Sequence, residues 1–296
     1  MKSDLVSDAR AGAAAVSDEH AELGLERLFS SAVSENVALA QSVGWPDDDA
    51  DWRVIHEAAF VLGARRGAAL VGQGVLAAYE PSSGTIAKMV VSPTMQRQGL
   101  GAKLLDALLV EADERRLSSL GLVATPFGEP LYESRGFRVT GEVAVFIGAP
   151  RCDPLEDVIS PIADIEQAIA FERRFISCSR AKMLRACYRE AKASTLVTSS
   201  AGSVRGFALV SARRTYALVG PVIAESEPIA RTLIGAIFAA NPGNIRIDVP
   251  VEHSALRTWL RELGLPEKGI RPEMTRGGAL PWQVPQRFAL ASQAWG

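Results

Sequence analysis

Residues 86–104 read IAKMVVSPTMQRQGLGAKL, and the fold turns on this stretch. The apolar run Ile86 to Val91 has strand character, Ser92-Pro93 ends it, and a polar turn carrying Gly99 and Gly101 leads into the helix-like AKLLDALLVEADERR. A strand, a glycine-bearing turn and a helix N-terminus together form an anion site. The turn's N–H groups converge on phosphate oxygens, and the helix dipole favours negative charge there. Side chains at positions 99 and 101 would hold a phosphate away from the backbone.

Working upstream, residues 25–29 read as a first strand, SENVALAQSVGW as a helix ending near Gly44, and ADWRVIHEA as a second helix after the break at Pro46-Asp47-Asp48-Asp49. Two strand-like runs follow, AAFVLGAR and ALVGQGVLAAYE, before Pro81-Ser82-Ser83-Gly84 turns the chain into the central strand. Downstream, LGLVATP has the character of a buried parallel strand, EPLYESRG of a short helix and FRVTGEVAVFIG of a closing strand.

Length and composition bound the rest. A chain of 296 residues, 48% hydrophobic and 22% charged, is long enough for two ordinary globular domains. A net charge of −2 and a pI near 6.0 argue against a broad nucleic-acid surface. The three cysteines, Cys152, Cys178 and Cys187, and the three histidines, His20, His56 and His253, show neither disulfide nor zinc-ligand spacing, so no metal is expected. No apolar stretch reaches the length of a membrane span, and the N-terminus carries acids where a signal peptide has a basic start; a cytoplasmic location is the expectation.

The segment Gln96-Arg97-Gln98-Gly99-Leu100-Gly101 resembles the acyl-CoA pyrophosphate loop of the GCN5-related N-acetyltransferases (GNAT), Q/R-x-x-G-x-G/A, at every defined position. Pro130-Leu131-Tyr132-Glu133-Ser134-Arg135-Gly136-Phe137 resembles the same family's late helix and turn, and the element order over residues 23–148 is the GNAT order. After the Pro-rich 149–154, the second half repeats the succession: a strand at VISPI, helices at DIEQAIAFERRF and SRAKMLRACYREA, and a meander of three strands over 195–226. A helix at EPIARTLIGAIFAAN, a strand at NIRIDVPV, a helix at SALRTWLRELGL and a final strand from the last segment complete it. The whole resembles bacterial tandem-GNAT proteins with a diverged C-terminal acetyltransferase-like domain. The resemblance implies an α/β fold of two tandem GNAT-like domains, each a mixed, mostly antiparallel sheet flanked by helices and splayed between its fourth and fifth strands. The expected boundaries are a tail at 1–20, a working domain at 21–149 and the diverged domain at 150–296.

That resemblance further implies acetyl transfer from acetyl-CoA, a co-substrate, to an amine by direct attack in a ternary complex. Backbone groups of Met89, Val90 and Val91 would receive the pantetheine arm and polarise the thioester carbonyl, and Gln96, Arg97, Gln98, Gly99, Leu100, Gly101 and Ala102 would cradle the pyrophosphate. Arg97 and Lys103 read equally as phosphate donors or as solvent-facing residues of a helix start. Tyr132 is the candidate acid for the departing thiolate, though the residue alone reads equally as an aromatic packed under the last strand. Glu80 is the candidate base, ahead of His56 and Glu57. Many relatives carry an Asn after the LGLVAT strand, where this chain has Thr125-Pro126-Phe127-Gly128, and Pro126 has no N–H to donate.

The acceptor pocket is expected between Trp45 and Trp52 and on the inter-domain face. There Asp47, Asp48, Asp49 and Asp51 read either as a lure for a cationic amine or as a helix N-cap run. The second half departs from the loop pattern: Val222-Ile223-Ala224-Glu225-Ser226-Glu227-Pro228 has no glycine pair and two acids that would repel a pyrophosphate, so its expected role is to shape the acceptor pocket or to form a homodimer. The expected partner is a small-molecule amine rather than nucleic acid or a membrane. A non-catalytic acyl-CoA sensor, or a regulatory or dimerisation module, is the alternative reading.

Overall fold

A computed structural model of the chain describes residues 22–151, 159–198 and 202–296. The expected tail, Cys152 and Val158 lie outside the described residues. The first half runs β1 (Leu23–Leu28), α1 (Val33–Ser42), α2 (Asp49–Ala58), β2 (Phe60–Arg66), β3 (Ala69–Tyr79), β4 (Ser83–Val91), α3 (Leu100–Glu114), β5 (Ser119–Val123), α4 (Glu129–Glu133) and β6 (Arg138–Gly148). The second runs β7 (Ile159–Pro161), α5 (Ile165–Glu172), α6 (Ala181–Arg189), β8 (Ala191–Thr198), β9 (Val204–Ala212), β10 (Ala217–Ala224), α7 (Glu227–Ala240), β11 (Ile245–Pro250), α8 (Ser254–Glu262), β12 (Glu267–Gly277) and β13 (Arg287–Ala289). Every element read from the sequence is present. The expected final strand is divided: β12 is long, whereas RFALASQAWG supplies only the three residues of β13 and then leaves the sheet.

Within each half the sheet is antiparallel except where its fourth strand meets its fifth. β4 pairs with β5 in parallel only from Ser83 to Thr85, and β10 with β11 only from Ala217 to Val219, so both pairs diverge beyond these short ladders. The two sheets are continuous, in the order β1-β2-β3-β4-β5-β12-β6-β11-β10-β9-β8-β7. The last strands are thereby exchanged. β12 of the second half lies beside β5, and β6 of the first half lies beside β11, with β6 and β12 pairing antiparallel at the centre. Each exchanged strand protects an edge that the other half would otherwise leave unpaired.

Three apolar clusters follow from this layout. Leu100, Leu104, Leu105, Leu108 and Ala112 recur at helical spacing and seat α3 against β2–β5. α7 and α8 cover the same face of the second half. The third cluster joins the halves, packing α1 and α2 against α5 and α6 around Trp52, Trp282 and Trp295. Within it, His56 Nε2 donates to Asn36 Oδ1 at 2.8 Å, and Asn36 Nδ2 donates to Gln73 Oε1 at 2.8 Å. In the second half His253 stacks on Phe288 and bonds the Arg287 carbonyl at 2.9 Å.

Burial lowers the pKa of both His56 and His253 from the ordinary 6.5. The unfolded chain therefore takes up protons first as pH falls, and the stability these residues contribute is present above about pH 6.5 and lost below it. Thermal denaturation should show Tm falling from pH 7 to pH 5, with a shallower fall in His56→Gln/His253→Phe. An identical slope in that double variant would remove the histidines from the explanation.

Candidate active site

The approach to the site begins with an irregularity in β4. Gln73 pairs with Val90 but Val75 with Ala87, so β4 carries one residue more than β3 between these pairs. Lys88, at φ +52°, takes up the extra step. As a result Ala87 and Lys88 serve the same face, Ala87 in the cluster between the halves and Lys88 reaching Asp47 in the α1–α2 connection. β10 carries its own irregularity between Val219 and Val222, at the matching point of the repeat.

Beyond Val91 the chain passes through Ser92-Pro93 into the turn. Arg97 and Gly99 both adopt positive φ, +61° and +81°, and Gly99 caps α3. No side chain caps this helix and its first turn carries no acid. The first helical bond runs from the Lys103 N–H to the Gly99 carbonyl, and the N–H groups of Gln98, Gly99, Leu100, Gly101 and Ala102 have no protein partner among the described residues. A Cβ at Gly99 would meet nothing within 4 Å, so the cradle opens to solvent. Unpaired, convergent donors at a helix N-terminus fit the pyrophosphate of an acyl-CoA. Arg97 and Lys103 are exposed at its rim. Gln96 Nε2 donates to the Val91 carbonyl at 3.1 Å, tying the turn to the strand.

The wedge between β4 and β5 starts after Thr85 and widens toward this cradle, bringing Met89, Val90, Val91 and residues 96–102 to one end of the sheet. Tyr132 lies behind it in α4, buried against the cluster under α3 and edge-on to Phe137 at 5.9 Å. Burial raises its phenol to about 12. Its hydroxyl has no hydrogen-bond partner among the described residues and is not a sealed atom, which leaves it available to a ligand. Leu131 of the same helix approaches Gly101, so α4 is packed onto the cradle.

Glu80 is not brought to this site. It is exposed, precedes Ser83, and lies at the closed end of the wedge, its carbonyl accepting from the Ser179 N–H. The six steps from Ser83 to Met89 at about 3.3 Å each place it roughly 20 Å from the expected thioester position. His56 is committed to Asn36, and Glu57 pairs with Arg189.

The acidic run divides by role. Asp48 is the N-cap of α2 and forms a reciprocal capping box with Asp51, while Asp47 turns inward to Lys88 Nζ, at 2.7 and 2.8 Å, and to Trp52 Nε1. Asp51 also pairs with Arg213, at 2.6 Å, from the second half. Burial raises the Asp51 carboxyl above the ordinary range, with Arg213 and Lys88 opposing the rise. These groups line a cleft between α2, β4, α6 and β9 whose remaining wall is the chain's last segment, Ala291 to Trp295. The sequence reading did not single out Lys88 or Arg213. The charged Lys88 inside the apolar IAKMVV was the visible signal for the first, whereas the contact of residues 51 and 213 has no local signature.

The second half's wedge is filled by the chain itself. β13 pairs with β10, the Ala224 N–H donates to the Gln286 carbonyl at 3.1 Å, and the Leu290 N–H donates to the Asp248 carbonyl of β11 at 3.0 Å. A Cβ at Gly220 would stand 1.8 Å from the Leu290 oxygen, so only glycine permits this approach. At the N-terminus of α7, Glu225 binds Arg174 and Arg205, and Glu227 binds Arg231. From the filled wedge the segment crosses to the first half, where Thr85 Oγ1 donates to the Ala294 carbonyl and Tyr79 Oη to the Trp295 carbonyl.

Comparison with known proteins agrees with this geometry. An acetyltransferase (GNAT) domain profile matches residues 46–151, and a second acetyltransferase (GNAT) domain profile matches residues 168–288. The chain is 26% identical over 292 residues to the uncharacterized N-acetyltransferase YitH of Bacillus subtilis, covering 92% of this chain and 98% of that one. The crystal structure of a Pyrococcus horikoshii protein described as a candidate acetyltransferase superimposes with a TM-score of 0.80 at 17% identity, covering 93% of this chain and 96% of the other. A tandem GNAT protein from the clavulanic acid biosynthesis pathway does so with a TM-score of 0.64 at 16% identity, covering 87% and 99%. No helix among the described residues is long and apolar enough to cross a membrane.

Proposed function

We propose that this chain, which belongs to the GNAT acetyltransferase family in both of its halves, carries the acetyl group of acetyl-CoA to the nitrogen of a small amine. The observation that carries this reading is the row of unpaired N–H groups from Gln98 to Ala102 at the mouth of an open wedge, matched in the second half by a wedge that is filled and an acidic helix start. The first half therefore binds acetyl-CoA and the second shapes the acceptor pocket.

Acetyl-CoA supplies an activated thioester. The donors of residues 98–102 bind its phosphates, and backbone groups at Met89 to Val91, beside the irregularity in β4, hold the thioester carbonyl and stabilise the charge that develops on its oxygen. Asp51, with its raised pKa, accepts a proton from the acceptor's ammonium. The neutral nitrogen attacks, the C–S bond breaks, and Tyr132 gives its proton to sulfur. The nitrogen's second proton restores the phenol, so one proton reaches solvent per turnover.

Calorimetric titration with acetyl-CoA should find one site per chain. Two sites would overturn the assignment to the second half, and none would overturn the reading as a whole. Because none of the described residues bonds the Tyr132 hydroxyl, Tyr132→Phe should leave Tm unchanged while lowering kcat about 10²-fold at constant KM for acetyl-CoA. Unchanged kcat would end its role as the acid.

A further inference from the structure

The irregularity in β4 is held by more than its own backbone. Between the pairs Gln73–Val90 and Val75–Ala87, neither Lys88 nor Met89 has a partner residue on β3 among the described residues, and β5 has left the ladder after Thr85. The step therefore lies outside both ladders. Lys88 makes it with φ at +52°, a conformation that is strained for an L residue with a side chain and open to glycine without strain. Such strain persists only where the surroundings over-determine it.

Here the surroundings act through one carboxylate. Asp47 takes two bonds from Lys88 Nζ, at 2.7 and 2.8 Å, and a third from Trp52 Nε1 at 3.1 Å, with the ammonium 5.6 Å from the centre of the Trp45 ring. Asp47 is itself fixed. Gln41 Nε2 of α1 donates to its carbonyl at 3.0 Å, and the next residue, Asp48, caps α2. At the other end of the step, Gln73, the partner of Val90, exchanges two side-chain bonds with Asn36 of α1, at 2.8 and 3.3 Å. Both ends are thus moored to α1 and the connection that follows it.

Stability does not account for this arrangement. The Lys88 and Asp47 side chains are 16% and 6% exposed, and a pair so buried is a weak source of stability because desolvation of the two charges offsets most of their attraction. The left-handed backbone adds strain to that. What the pair does supply is a fixed direction for the peptide groups that follow, from Met89 to Val91. Donors to a developing oxyanion work only where they are aimed in advance, and a misplacement of about 1 Å can lower a rate on the order of 10²-fold.

We infer that Lys88 and Asp47 are positioning residues: their ion pair holds residue 88 in the left-handed conformation and so aims the peptide groups of Met89 to Val91 at the thioester carbonyl. This inference rests on the acetyl-transfer reading above. Neither residue belongs to the cradle of residues 98–102, so coenzyme affinity and carbonyl alignment can be read separately.

The test needs no acceptor. The full chain is titrated with acetyl-CoA isotopically labelled at the thioester carbonyl, and the infrared band of that carbonyl is compared free and bound, since an aimed N–H donor draws it to lower frequency. Wild type should show this shift. Asp47→Asn/Lys88→Met removes both charges together, which leaves no carboxylate uncompensated, and the side-chain oxygen at position 47 still accepts from Trp52. That variant should bind acetyl-CoA within about threefold of wild type and lose at least half of the shift. Asp47→Asn/Lys88→Gly also lacks the pair, but glycine enters positive φ without strain, so it should recover most of the shift. Asp47→Asn/Lys88→Ala shares the strain of the methionine variant without its length and takes its place in the comparison should that variant not fold.

An undiminished shift in the methionine variant, equal shifts in the glycine and methionine variants, or no shift in the wild type would each overturn the inference while acetyl-CoA binding stands. If acetyl-CoA does not bind the wild type, the parent reading falls with it.

Discussion

Replacing Gly101 with glutamate will lower the affinity for acetyl-CoA at least about 100-fold, roughly 2.7 kcal/mol, while leaving the protein folded. Gly101 lies in the first turn of α3, and a Cβ there would meet Leu131 Cδ2 at 3.6 Å and Val91 Cγ2 at 3.8 Å, ordinary contacts that require no movement. Gly101 is also absent from the positive-φ glycines, so a side chain carries no backbone strain. The added carboxylate complements the helix dipole, which stabilises the fold slightly, and stands where the pyrophosphate must bind. Binding and stability therefore move in opposite directions.

Gly99 is the poorer position for this experiment. Its φ of +81° makes any other residue strained by about 1–2 kcal/mol, so lost binding there would not separate a damaged turn from a blocked site. Gly101→Gln separates charge from bulk, and its loss should be smaller than that of Gly101→Glu. Calorimetric titration beside thermal denaturation checks both variants. Undiminished affinity in Gly101→Glu would place the anion site elsewhere.

The cradle was legible in the sequence because everything that forms it is local. A strand, a Pro stop, two glycines and the start of an amphipathic helix occupy nineteen consecutive positions, and each residue's preference agrees with its place. The repeat was legible for the same reason, element by element. Glu80 was misplaced because its nearness to the central strand in sequence does not say at which end the wedge opens; that is decided by the short parallel ladder from Ser83 to Thr85.

The exchange of β6 and β12 left no local trace. Each strand closes its own repeat in chain order, and nothing local in either says whether it pairs with β5 or with β11, so only the three-dimensional packing selects one. The strand that fills the second wedge is three residues long, below what periodicity can register. Among the aspartates, sequence allowed either a cap or a charged pocket wall. The structure uses Asp48 as the cap and buries Asp47 against Lys88 and Trp52, while Asp51 both completes the capping box and lines the cleft beside Arg213.

The largest loss of stability is expected from Arg287→Met. Arg287 and Glu273 form a two-pronged pair, Nη1 to Oε1 and Nη2 to Oε2, both at 2.8 Å, with side chains 1% and 3% exposed. Glu273 belongs to the exchanged strand β12, between Val123 of β5 and Gly141 of β6, and Arg287 opens β13 in the second wedge. The pair thus ties the strand exchange to the segment that closes the second half. Without Arg287 the Glu273 carboxylate is left buried and uncompensated, which should reduce unfolding free energy by about 3–5 kcal/mol in chemical denaturation at pH 7.

The pH dependence of that loss identifies its cause. Burial alone would raise the Glu273 pKa, but Arg287's charge and hydrogen bonds outweigh it and hold the carboxyl below its ordinary 4.5. In the wild type this stability is present above about pH 4.5 and lost as pH falls through the depressed pKa. In Arg287→Met the opposing charge is gone, the pKa rises, and the folded state binds the proton first, so the deficit relative to wild type should shrink between pH 7 and pH 5. Glu273→Leu/Arg287→Met, which removes both charges, should regain most of the loss. A deficit under about 1 kcal/mol, or one independent of pH, would mean that the pair does not secure the exchanged strands. Acetyl-CoA stoichiometry should remain one in every variant that folds, because Glu225 and Glu227 still guard the start of α7.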